Sequence, residues 1–70
     1  MEKEFNINGK DYVFTIEKVN NLQVLSCYYN QNGETFGQWT SEVNQLPKNE
    51  DQANTYINEL DWCLDTSYLK

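Results

Sequence analysis

CYYNQNGETFGQW, residues 27–39, holds the turn on which the fold depends. Asn32-Gly33 is the strongest kind of short hairpin signal. A type I′ loop needs positive φ at both central positions, and Asn followed by Gly tolerates that best. With those two residues as the loop, Tyr29 faces Phe36, Tyr28 faces Gly37 and Cys27 faces Gln38. Side chains alternate along a strand. The same register therefore sends Tyr29 and Phe36 to one side of the sheet, and Tyr28 and Trp39 to the other.

Two further turns extend this reading toward the N-terminus. NINGKDY (6–12) offers Asn8-Gly9, which sets Phe5 opposite Tyr12 and Ile7 opposite Lys10. EKVNNLQV (17–24) offers Asn20-Asn21, a weaker signal without glycine, which sets Tyr12 opposite Tyr29, Phe14 opposite Cys27 and Ile16 opposite Leu25. The three registers are independent, yet they sort the residues in the same way. One face collects Phe5, Ile7, Tyr12, Phe14, Ile16, Leu25, Cys27, Tyr29 and Phe36. The other collects Glu4, Asn6, Asp11, Val13, Thr15, Glu17, Val24, Ser26, Tyr28, Gly37 and Trp39. A slip of one residue at any turn would undo this sorting. The sequence predicts a four-stranded antiparallel meander with strands near 2–7, 10–19, 22–31 and 34–40.

A sheet with one apolar face needs a cover. TSEVNQLPK (40–48) reads as a loop, and the following stretch from Asn49 reads as a helix. Asn49 suits the N-cap, with Gln52 three residues on as in a capping box, and Glu50 and Asp51 favour the positive end of the helix dipole. Ala53, Tyr56, Ile57, Leu60 and Leu64 make one stripe at helical spacing, with Cys63 beside it. The expected fold is α+β: a four-stranded antiparallel β-meander covered on one face by a C-terminal α-helix, ββββα in two layers, as a single domain over 1–70.

Composition narrows the function. The chain has 70 residues, 39% of them apolar and 14% aromatic, too many for a disordered polymer. A domain of this size buries only roughly 60% of the surface its unfolded chain exposes, so each large apolar residue counts. Eleven acids stand against five lysines, with a net charge of −6 and neither arginine nor histidine. Without arginine the bidentate phosphate reader is missing, and the negative charge repels nucleic acid and anionic lipid. Without histidine the commonest general base and metal ligand is missing. No run reaches membrane-spanning length, the start lacks a signal-peptide pattern, and two cysteines do not make a disulfide framework. The expectation is a cytoplasmic protein with reduced thiols. Since no phosphate-cradling glycine loop, nucleophile–base pair or calcium-loop spacing occurs, no enzymatic activity, metal or cofactor is expected.

Four groups of residues are candidates for function. Val13, Val24, Tyr28 and Trp39 fall together on the face away from the helix. The plainer role for Tyr28 is to shield the backbone of Gly37; the sharper one is a docking patch, since Tyr and Trp often anchor interfaces. Trp62 lies about 180° around the helix from the apolar stripe, with Leu69 near it, and reads either as a contact residue or as packing under the loop that carries Val43 and Leu46. The acids Glu42, Glu50, Asp51, Glu59, Asp61 and Asp65 make a solvated helix face, or a surface that steers toward a basic partner. Cys27 faces the core and Cys63 borders the stripe, so the two thiols are expected to be neighbours and inert.

The leading expectation is a small acidic, non-catalytic protein-binding module, an inhibitor or regulator that occupies a basic surface of a partner protein, a nucleic-acid-binding protein being one such partner. Val13, Val24, Tyr28, Trp39, Trp62, Glu59, Asp61 and Asp65 would form its contacts. In size, charge and element order the chain resembles compact inhibitors carried by phages and mobile elements, a likeness of plan and not of motif. The alternatives are single-stranded nucleic-acid binding through the outward aromatics with Lys3, Lys10 and Lys18, which the charge opposes, and a structural homodimer.

Overall fold

A computed structural model describes residues 1–64. Strands β1 (Glu2–Ile7), β2 (Lys10–Val19), β3 (Leu22–Gln31) and β4 (Glu34–Thr40) form an antiparallel meander, and helix α1 (Glu50–Glu59) packs against it. The strand limits agree residue for residue with those read from the turns. So do the registers: Phe5 pairs with Tyr12, Tyr12 with Tyr29, Phe14 with Cys27, Tyr28 with Gly37, and Tyr29 with Phe36.

The turn backbone explains the agreement. Asn8 and Gly9 have φ of 54° and 81°, Asn20 and Asn21 have 51° and 66°, and Asn32 and Gly33 have 54° and 80°. Positive φ at both central residues is the type I′ loop, whose twist matches that of the flanking strands. Each loop thus contains two residues, and each register follows.

The core lies between the helix and the inner sheet face. Ile7, Phe14, Leu25, Cys27 and Ala53 are buried, and Phe5, Tyr12, Ile16, Val43, Leu46, Tyr56, Ile57, Leu60 and Trp62 pack around them. Asn49 caps α1 as expected. Its backbone is extended (φ −155°), and its side-chain oxygen accepts from the Gln52 backbone N–H at 2.8 Å. Gln52 reaches back and accepts from the Lys48 N–H at 2.6 Å, one residue before the position a capping box would use. The loop ahead of the helix folds over the sheet, where Lys3 Nζ donates to the Pro47 carbonyl at 3.2 Å.

The end of the helix departs from expectation. Leu60 leaves helical geometry at ψ 150°, and the chain turns back so that Cys63–Leu64 forms a short strand, β5, beside β4. Leu64 pairs with Gln38 and Cys63 with Trp39. The apolar stripe therefore ends at Leu60. Leu64 is 70% exposed instead of closing the core, and Cys63 is exposed, so the expected Cys27–Cys63 neighbourhood does not form. Edge pairing on β4 has replaced another turn of helix. The sheet order is β1-β2-β3-β4-β5, and among the described residues β1 has β2 as its only strand neighbour.

Candidate functional site

Strand parity separates charge. Glu2, Glu4, Asp11 and Glu17 share the outer face, the one turned away from α1, because they pair with or alternate in step with Val13, Val24 and Tyr28. Lys3, Lys10 and Lys18 have the opposite parity and lie on the inner face. The outer face of β1–β3 thus carries four carboxylates and none of the strand lysines.

Aromatic groups sit among those carboxylates. Val13, Tyr28 and Trp39 are half-buried on this face, and Tyr28 lies directly opposite the buried Gly37, where a ring can cover bare backbone. Burial pushes the Tyr28 hydroxyl above its ordinary pKa, and the negative charges of Glu2, Glu17 and Glu4 push it further in the same direction. The phenol stays protonated and is a donor at neutral pH.

Val24 is on the outer face as expected but offers no contact surface. It is 0% exposed, as is its neighbour Ser26. Glu17 is directly opposite Val24, and its carboxylate accepts from the Ser26 hydroxyl at 3.1 Å and the Thr15 hydroxyl at 3.5 Å. These bonds hold the Glu17 side chain along the sheet, across its strand neighbours, instead of out in water. Val24 therefore belongs to the buried residues and not to the patch. The patch itself is Val13, Tyr28 and Trp39, with Glu2, Glu4 and Glu17 along its β1 and β2 side.

The other expected contacts are not part of it. Trp62 does not project from the far side of a continuing helix. It packs on the core, and its Nε1–H donates to the Tyr56 carbonyl at 2.9 Å in the last turn of the helix. Leu60 N–H shares that carbonyl at 3.3 Å. Glu59 and Asp61 are exposed at the same helix end, where the Asp61 N–H donates to the Glu42 carboxylate at 2.9 Å. Asp65 and Leu69 lie outside the described residues.

Among the described residues the inner face is only partly roofed. Tyr12, Tyr29 and Phe36 form a ladder of half-buried rings, with centroids 5.2 Å apart for Tyr12–Tyr29 and 5.5 Å for Tyr29–Phe36. Lys10 Nζ lies 5.2 Å from the Tyr29 ring centroid, within cation–π range. Beneath them Cys27 is 5% exposed, and burial pushes its thiol up to about 12, far from the thiolate that nucleophilic chemistry requires. Among the described residues no group of three His, Cys, Asp or Glu side chains is placed to hold a metal ion.

Sequence reading placed Glu4, Asp11 and Glu17 on the outer face but gave the binding role to the helix acids instead. Comparing the parity of acids with that of lysines would have found the strand carboxylates. No protein-family model matches the chain, and no curated protein or solved structure is significantly similar to it.

Proposed function

We propose that this chain is a non-catalytic binding module whose outer sheet face docks on a basic surface of a partner protein and occupies it. The observation that carries this reading is the segregation of charge. Tyr28 has Glu2, Glu4 and Glu17 around it and Trp39 on the strand beyond, on a face without strand lysines. Half-buried Tyr and Trp supply area that loses little side-chain entropy on docking, and the surrounding carboxylates set the orientation and raise the association rate. Exposed Glu59, Asp61 and Glu42 at the helix end extend the negative field and serve in steering. An inhibitor or regulator that competes for a nucleic-acid-binding site would have this chemistry.

The alternatives have less support. Base stacking on Tyr28 and Trp39 would need a cationic groove beside them, and Lys3, Lys10 and Lys18 are on the other face. A homodimer formed outer face to outer face would oppose the four carboxylates of each copy.

The test is a titration followed by amide and indole NMR, with a lysine-rich peptide as probe at low salt. Shifts concentrated at Val13, Tyr28 and Trp39, weakened at least tenfold by Tyr28→Ala, are expected. Replacing Glu2, Glu4 and Glu17 with Gln should weaken binding and flatten its salt dependence. Shifts confined to Glu50, Asp51 and Glu59 would overturn the assignment of the face.

A further inference from the structure

We propose that the recess between the inner aromatic ladder and Trp62 is a binding site for an uncharged, planar molecule of one aromatic ring. Tyr12, Cys27, Tyr29, Gln38, Ile57 and Trp62 line a half-open cavity of about 180 Å³. A dry cavity of about 150 Å³ lined by apolar side chains is known to admit benzene, whereas drug-sized ligands need several hundred. The volume therefore fits one ring with a short substituent, and the open side provides entry.

The shape of the recess follows from how the chain ends its helix. Because Leu60 turns extended, no further helical turn among the described residues covers Tyr12 and Tyr29. Trp62 comes back instead as a side wall, fixed by its bond to the Tyr56 carbonyl at 2.9 Å. The opposite wall is also braced, since Tyr29 stacks on Phe36 with an interplanar angle of 27°. Walls held this way resist collapse into the space between them. A flat ring can then lie against the ladder at the spacing its own rings already use, 5.2–5.5 Å between centroids.

The lining also selects against charge. None of the six residues carries a carboxylate or an ammonium group. Burial raises the pKa values of both Tyr12 and Cys27, so the phenol and thiol remain neutral. A charged ligand would give up its hydration without gaining a counter-ion. Lys10 lies over the Tyr29 ring and is not among the lining residues.

Phenol, benzoate and cyclohexanol separate the claims of ring, charge and planarity. Each is titrated into the intact chain while the Ile57 methyl and the Trp62 and Trp39 indole N–H signals are followed. Phenol should saturate in the millimolar range and move Ile57 and Trp62 but not Trp39. Benzoate and cyclohexanol should each bind at least tenfold more weakly. Ile57→Phe, which places a ring at the recess, should weaken phenol at least tenfold. Failure of phenol to saturate, equal shifts at Trp39, or equal affinity for benzoate would overturn the proposal, and these wild-type outcomes stand even if the variant fails to fold.

Discussion

Six residues in the three hairpin loops have positive φ, and four of them are asparagines. The loop formed by Asn20 and Asn21 is the only one of the three without glycine, so it carries the most backbone strain. Asn21→Gly should relieve it and raise unfolding free energy by roughly 0.5 kcal/mol, seen as a higher urea midpoint at unchanged slope. Gly33→Ala should do the reverse, costing about 1 kcal/mol, through its φ of 80° alone, because a Cβ there would meet nothing within 4 Å. Cys27 makes a second prediction at this scale. Its thiol is pushed from 9.0 to about 12 by burial, so the native state holds a proton that the unfolded state releases. Unfolding then releases protons between pH 9 and 12, and the contribution is complete below pH 9 and lost as pH rises through that window. The urea midpoint should fall with pH above 9, and Cys27→Ala should flatten the first part of the decline. In the native state iodoacetamide should label the exposed Cys63 and spare Cys27.

The two ends of α1 differ in how plainly the sequence announced them. Its start was legible because capping is local: Asn49, Gln52, Glu50 and Asp51 act within one turn. Asn49→Ala should cost about 1 kcal/mol, measured by denaturant unfolding. Its end was misread because Leu60 and Leu64 continue the helical stripe while Cys63 and Leu64 serve equally well as an edge strand. Periodicity cannot distinguish those uses over so few residues. Charge gave a hint, since Glu59 and Asp61 sit at the negative end of the dipole and the last turn has no basic residue. The strands were legible for the opposite reason, because three turns had to agree on one face. Trp62 was legible as one of two alternatives, since it packs on the core together with Val43 and Leu46. Its bond to the Tyr56 carbonyl, however, forms only because the chain turns back after Leu60. Trp62→Phe should cost about 1 kcal/mol for the lost hydrogen bond, and Trp62→Ala about 3 kcal/mol because packing is lost as well.

Across the whole molecule, the outer-face carboxylates set function against stability. Glu2 and Glu4 repel Glu17 and one another, so replacing both with Gln should raise the melting temperature at low salt. The gain should shrink as salt is added. The same double variant should lose affinity for a basic partner, a pairing of effects that mere structural damage would not produce. The site was only half legible at this scale: the register supplied Tyr28, Trp39 and Val13. The burial of Val24 and the bonds of Glu17 to Ser26 and Thr15 are tertiary features that spacing does not reveal. Parity along β1 has one more consequence. If a second copy were to extend the sheet antiparallel at β1, residues of equal parity would face each other, such as Lys3 with Lys3, or Glu2 with Glu4. Every such alignment gathers the acids of both copies on one side, so pairing of two copies through this edge opposes itself. Glu2→Thr with Glu4→Val would lift that block, and a dimer in light scattering at neutral pH, absent in the parent chain, should follow.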